Sequence, residues 1–221
     1  MSTIILDSDK KFTVSKIVCI GRNYTTHISE MSAQRTKEPV LFLKPPSALL
    51  CAGNPIILPA YSSDVHYEVE LALLVSQRAS SINRNEWRSF IGGIGVAIDL
   101  TLRDLQQHAK EKGLPWSISK GFDGSCPISS FVTLQENTDL HKLVLKLEVN
   151  GKTRQHASTG EMIFKVDELI SYISRIFTLE QGDLILTGTP EGVGPLLNGD
   201  RIKAEIENVV SVEFQVKSQT I

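Results

Sequence analysis

The chain of 221 residues is 41% hydrophobic and 22% charged, with 15 Gly and 9 Pro, proportions that suit a folded globular protein and exclude collagen, coiled coil and disorder. Lys and Arg number 23 against 25 Asp and Glu, a net charge of −2 with no like-charge block, so nothing marks a nucleic-acid binder. No apolar run approaches the ~20 residues of a membrane span, and Asp7, Asp9 and Lys10 interrupt Ile4-Ile5-Leu6 too soon for a signal peptide. Cys19, Cys51 and Cys126 form no CxxC or Cys/His metal pattern and read as thiols of a reducing compartment. With no linker, compositional break or internal period, residues 1–221 are expected to form a single cytoplasmic domain, the first 15 being a short lead-in.

Along the chain, Lys16 to Ile20 and Val40 to Leu43 are short strand-like runs, stopped by Gly21 and by Pro45-Pro46. Tyr67 to Val75 reads as a strand with an apolar odd face, and its even face runs His66, Glu68, Glu70, Ala72, Leu74. Ile94 to Leu100 is the near-continuous apolar strand of a doubly buried position. A helix follows, with Thr101 as its expected cap, Asp104 at the capping-box position and Gly113-Pro115 at its end. Leu143 to Val149 alternates into an Asn150-Gly151 hairpin, and Val166 to Phe177 carries a 3.6-residue apolar period. Leu184 to Thr187 is a further strand, and an Asn198-Gly199 turn is expected to join two terminal strands. The fold class is therefore a β-rich α/β arrangement with mixed or antiparallel sheets. The regular βαβ alternation of a doubly wound fold is missing.

Glu68 and Glu70 project from one face of their strand, ~6.6 Å apart along it, and can converge on one point. An isolated Glu-x-Glu more often marks a solvated face, but here the face continues as Ala72 and Leu74. Asp99 closes an apolar strand, where a lone carboxylate is costly unless paired or ligated; assisting the next helix is the competing reading. Together the three would make an all-oxygen site suited to Mg²⁺ or Mn²⁺ rather than zinc. Arg103 and Gln106 follow Asp99 at helical spacing and could face the same cavity, or solvent. Lys120 lies outside any amphipathic pattern, as surface lysines do. His27 and Glu30, three apart on a short helical turn, could form an oriented base or a surface ion pair. No P-loop, GxGxxG, GxSxG or HExxH is present.

Gly21-Arg22-Asn23-Tyr24…His27…Glu30-Met31, Glu38 to Pro45, and His66-Tyr67-Glu68-Val69-Glu70-Leu71 together resemble the fumarylacetoacetate hydrolase family. So do Asp99 to Gln106, Lys112-Gly113-Leu114-Pro115-Trp116, and Leu186 to Gly194; the set runs in order from about residue 16 to near the C-terminus. Lys-Gly-Leu-Pro-Trp and Gly-Arg-Asn-Tyr are most similar to the small single-domain branch of acylpyruvate hydrolases, oxaloacetate decarboxylases and related tautomerases. The resemblance implies a mixed β-sandwich roll with a few peripheral helices, bound Mg²⁺ or Mn²⁺, a homodimer, and a small keto-acid substrate, with no nucleic-acid or membrane partner. By that resemblance Glu68, Glu70 and Asp99 match metal ligands, and Arg103, Gln106 and Lys120 surround the keto acid. Thr189 lies in the substrate-proximal loop, and His27 and Glu30 are the acid–base pair of a lid. Tyr67 stands where some relatives carry a second His, and is expected to face the core. The implied chemistry is hydrolysis of the C3–C4 bond of short 3-acylpyruvates, and with it decarboxylation of oxaloacetate. In both, a divalent cation and Lys120 would stabilise the resulting pyruvate enolate. The alternative is an isomerase, either an oxaloacetate keto–enol tautomerase or a 2-hydroxyhepta-2,4-diene-1,7-dioate isomerase.

Overall fold

The fold is built on the strand Val69–Val75, every residue of which is buried. In the computed structural model, which describes residues 2–7, 10–31 and 34–219, this strand lies inside an eight-stranded mixed sheet. The sheet order is Val40–Lys44, Ile17–Gly21, Leu184–Leu186, Val69–Val75, Ile91–Ile98, Cys126–Ile128, Leu49–Cys51, and Val132–Thr133 also pairs with Ile91–Ile98. A second sheet of five strands runs Lys152–Ser158, Val144–Val149, Arg201–Ile206, Val210–Ser218, Ile56–Leu58. The β-rich roll expected from the sequence is the observed architecture.

The two faces of Val69–Val75 serve different purposes. Val69, Leu71, Leu73 and Val75 join Leu145, Leu147, Ile202 and Phe214 in the main core between the sheets. Tyr67 packs into the same core, as expected. On the other face Ala72 and Leu74 meet Ile17, Cys19, Ala97, Phe131 and Leu184 in a second apolar cluster. Glu70 therefore begins a face that is otherwise dry. The helix Val166–Ile176 seats Val166, Leu169, Ile170 and Ile173 on the main core, which is what its 3.6-residue period dictates.

Two local expectations are corrected. Thr101 does not cap the helix Arg103–Lys112, whose N-cap is Leu102 without a side-chain bond. It pairs instead with His66 in a short antiparallel bridge, and its hydroxyl serves Glu68 and Lys120. Asp104 accepts from Ser62 Oγ at 2.7 Å and the Ser63 N–H at 3.0 Å, tying the helix start to the preceding loop. The terminal strands are joined through Glu207 to Val209, with Asn208 at φ 60°, whereas Asn198-Gly199 precedes them. The Asn150-Gly151 hairpin is as expected: both residues have positive φ (52° and 73°), the geometry of a type I′ turn. Among the described residues no helix is long and apolar enough to cross a membrane.

Candidate metal and keto-acid site

Strand register brings the three carboxylates together. Val69 opposes Ile98 and Glu70 opposes Ala97 in an antiparallel pair, and directly opposed residues share a face. One step further places Asp99 opposite Glu68, and the Asp99 N–H donates to the Glu68 carbonyl at 2.8 Å. Glu68, Glu70 and Asp99 thus share one side of the sheet, with candidate ligand oxygens all within 4.8 Å of one another. All three are buried, at 5%, 1% and 1% exposure, which removes the reading of a solvated face.

Their surroundings differ. Glu70 Oε2 accepts the Gly188 N–H at 2.6 Å. Gly188 itself sits at φ +96° with its Cα so close to Asn23 that an added Cβ would lie 2.6 Å from the Asn23 Cβ. Burial, followed by the Asp99 and Glu68 charges, pushes the Glu70 carboxyl well above its usual range. Burial would raise Glu68 too, but Lys120 and Arg103 outweigh it and hold that carboxyl below the ordinary carboxylate range. Lys120 Nζ lies 2.9 Å from Glu68 Oε2, 2.6 Å from Asp99 Oδ2 and 2.6 Å from Thr101 Oγ1, so its three protons are all taken. Burial opposes the Lys120 charge, yet the Asp99 and Glu68 carboxylates more than offset it and raise its pKa. The surface reading of Lys120 is overturned: the residue is 3% exposed.

Arg103 donates to Glu68 Oε1 at 2.5 Å and to Gln106 Oε1 at 2.9 Å, and its Nε is buried without a partner. His27 lies on the short helix Thr25–Glu30, with Nδ1 3.2 Å from Glu30 Oε2, while Glu30 Oε1 accepts the Gly192 N–H at 3.0 Å. Arg22, at φ 61°, turns the chain from the strand Ile17–Gly21 toward that helix. Residues 32 and 33 of the expected lid lie outside the described residues. His27, Arg103, Gln106, Lys120, Thr189 and Glu68 all line one cavity. His66, by contrast, turns to Asp64, 2.8 Å away, and does not extend the Glu68–Glu70 pair.

Sequence reasoning missed two buried residues that shape the site. Lys44 is fully buried with Nζ 2.8 Å from Asp99 Oδ1, and it donates to the carbonyls of Leu100, Ser125 and Lys120. The only available cue was a lysine ending the apolar run Val40 to Leu43. Gln155 ties Val69, Thr189 and Pro190 together; it sits in the wholly polar run Lys152 to His156, where alternation gives no signal.

The donor set fits a hard divalent cation. It is all oxygen, anionic and compact, and Asp99 Oδ1 has no hydrogen bond, its Lys44 contact falling outside hydrogen-bond geometry. Glu68, Glu70 and Asp99 can hold such an ion, and among the described residues no His or Cys joins them as zinc would favour.

Comparison with known proteins places the chain in a family. Residues 16–217 match the family model described as fumarylacetoacetate (FAA) hydrolase C-terminal. The mouse (Mus musculus) protein described as oxaloacetate tautomerase FAHD1, mitochondrial, is 48% identical over 201 residues, 91% of each chain. A fumarylacetoacetate hydrolase family protein of Yersinia pestis CO92 superposes with a TM-score of 0.92 at 42% identity, covering 97% of this chain and 99% of that one. The fumarylpyruvate hydrolase of Pseudomonas aeruginosa, solved with Mn²⁺ and pyruvate, gives a TM-score of 0.91 at 33% identity, covering 99% of this chain and 97% of that one. By sequence over nearly its whole length and by fold, the chain belongs to the fumarylacetoacetate hydrolase family.

Proposed function

We propose that this protein interconverts the keto and enol forms of a short 2-keto diacid of the oxaloacetate type, with C–C cleavage of 3-acylpyruvates as the second reading. The sequence alone ranked hydrolysis first and the isomerase as its alternative. The tautomerase description of the 48% identical mouse relative supports the reverse order, and the pyruvate-bound hydrolase of Pseudomonas keeps cleavage in play.

The observation that carries the proposal is the His27–Glu30 pair on the cavity shared with Arg103, Gln106 and Lys120. His27 Nδ1–H donates to the Glu30 carboxylate, which leaves Nε2 as the acceptor of the neutral ring. That nitrogen removes a proton from C3 of the keto form, and the resulting imidazolium returns it to the C2 oxygen, so the substrate becomes the enol and the enzyme is unchanged over the cycle. Lys120, with all its protons taken, contributes charge, while Arg103 spends two of its five N–H protons on Glu68 and Gln106 and keeps the rest, its Nε–H among them, to donate. Gln106 has its oxygen held by Arg103, so its amide protons are the groups left to donate. A divalent cation held by Glu68, Glu70 and Asp99 would supply Lewis-acid charge where the carbonyl oxygen becomes negative. Hydrolysis would use the same His27 nitrogen to deprotonate water.

The deciding experiment follows enol-oxaloacetate loss and acetylpyruvate cleavage side by side, with Mg²⁺, with Mn²⁺ and with chelator. Metal-dependent acceleration of tautomerisation above cleavage is expected. Absence of metal-dependent acceleration in both would sink the proposal.

A homodimer is also proposed. Exposed Leu43, Leu114 and Ile118 (43%, 52% and 68%), within two residues of the lining Phe42, Trp116 and Lys120, leave apolar surface for a second copy. The three free thiols support a reducing compartment such as the cytoplasm, although the mouse relative is described as mitochondrial.

A further inference from the structure

We propose that Gln155 sets the polarity of the Thr189 hydroxyl, fixing it as a hydrogen-bond donor toward an anionic oxygen of the substrate. The inference rests on the keto-acid reading and adds to it a positioning residue that acts through Thr189.

Gln155 lies in the strand Lys152–Ser158 of the second sheet and is 1% exposed. Its side-chain oxygen is 2.9 Å from the Val69 N–H, a group that can only donate. Its side-chain nitrogen is 2.9 Å from the Pro190 carbonyl and 3.4 Å from that of Glu191, groups that can only accept. Both ends of the amide are thus fixed independently, and a flipped amide would place like groups together at each end. One amide proton serves Pro190, and the other is aimed at Thr189 Oγ1, 2.9 Å away.

Thr189 Oγ1 is therefore the acceptor in that bond, and its own proton must point elsewhere. Among the described residues no acceptor receives it, while Thr189 lines the cavity at 3% exposure. Gln155 occupies one of the hydroxyl's two lone pairs, which turns its proton away from Gln155 and leaves that proton for an acceptor in the cavity. The same amide anchors Val69, which lies between Glu68 and Glu70. One side chain of the second sheet thereby sets both the orientation of the Thr189 hydroxyl and its position relative to the carboxylates.

The test uses Gln155→Glu. Its carboxylate can still accept from Val69, but its other oxygen faces Thr189 as an acceptor. The Thr189 proton then turns inward and its lone pairs face the cavity. Oxalate binding to the Mn²⁺-loaded protein, measured by calorimetry, should weaken about tenfold, the scale of one hydrogen bond to a charged group. Thr189→Val should lose about as much, Thr189→Ser should keep wild-type affinity, and the Gln155→Glu/Thr189→Val pair should lose no more than either single change. In turnover, KM should rise with little change in kcat, as for contacts equal in ground and transition states. Should Gln155→Glu fail to fold, Gln155→Met frees the hydroxyl to rotate and still donate, so it should bind oxalate better than Thr189→Val. Unchanged binding in both Gln155→Glu and Thr189→Val, or fully additive losses in the pair, overturns the assignment. Failure of the wild-type protein to bind oxalate overturns the keto-acid reading instead.

Discussion

Lys44 is the most informative place to perturb the site without touching a proposed ligand. Its side chain has no solvent exposure, its Nζ lies 2.8 Å from Asp99 Oδ1, and it donates to Leu100, Lys120 and Ser125. Lys44→Met keeps length and volume but leaves Asp99 short of one counter-ion and several oxygens short of a donor. Breaking a buried pair from one side costs about 3–5 kcal/mol. Asp99 retains Lys120 at 2.6 Å, which places the expected loss at the lower end. A loss of about 3 kcal/mol is a large part of a domain's 5–15 kcal/mol and lowers Tm by about 6–12 °C at this chain length. Urea unfolding should show a lower midpoint at an unchanged slope. The Lys44→Met/Asp99→Asn pair should lose less than the sum of its members, because removing both charges leaves neither one orphaned. A Lys44→Met protein within 1 kcal/mol of wild type, or a strictly additive pair, would refute the view that this buried charge is needed by Asp99.

Three further outcomes follow from the site. Glu70→Gln retains an acceptor for the Gly188 N–H, so its circular dichroism should match wild type, while calorimetric Mn²⁺ affinity falls more than the ~100-fold typical of a ligand's outer partners; undiminished Mn²⁺ binding would remove Glu70 from the ligand set. Lys120→Ala should weaken oxalate binding and lower turnover, each by about 10- to 100-fold, the range for a charged hydrogen-bonding group, and an unchanged specificity constant would return Lys120 to a structural role. His27→Ala should depress tautomerisation and acylpyruvate cleavage by ~10²- to 10⁴-fold while sparing oxalate affinity and much of any oxaloacetate decarboxylation, which needs no base to activate water; equal losses in all of them would mean that His27 binds or covers the substrate instead.

The parts of this architecture legible in the sequence are those fixed by local pattern. The strand Val69–Val75, which the sequence pattern extends back to Tyr67 and the structure breaks at Glu68, the Asn150-Gly151 hairpin and the helix Val166–Ile176 all announce themselves through a period or a turn dipeptide. The triad was legible because Glu-x-Glu and a strand-ending Asp need only one antiparallel register to meet. Long-range demands were not legible. Thr101 looks like a helix cap until Lys120 and Glu68 claim its hydroxyl from 19 and 33 positions away. Lys120 looks like a surface lysine because nothing local shows two carboxylates waiting for it. Lys44 and Gln155 act over separations of 56 and 86 residues, and their neighbours in sequence carry no trace of those partners. Asn198-Gly199 was misplaced for the opposite reason: a strong turn signal is local, but which strands it serves is not.

The charge balance of the site shows how a chain with an excess of acidic residues could attract the anionic keto acid proposed above. Three carboxylates, Glu68, Glu70 and Asp99, face three cations, Lys44, Arg103 and Lys120. Glu70 has the weakest claim on its charge, since burial and two neighbouring carboxylates hold its pKa high and only the Gly188 N–H and the Lys120 charge favour its ionised form. With Glu70 protonated, the cluster carries one excess positive charge; with a divalent cation in place of that proton it carries two. Arg22 and Lys110 line the same cavity and add positive charge to either state. Because the surrounding face is apolar, from Ala72 and Ala97 to Leu74, these charges interact at low dielectric, where charge interactions are strongest. On the proposed keto-acid reading, attraction for an anion would thus be a property of a few groups at the site, and the net charge of −2 over the whole chain neither reveals nor opposes it.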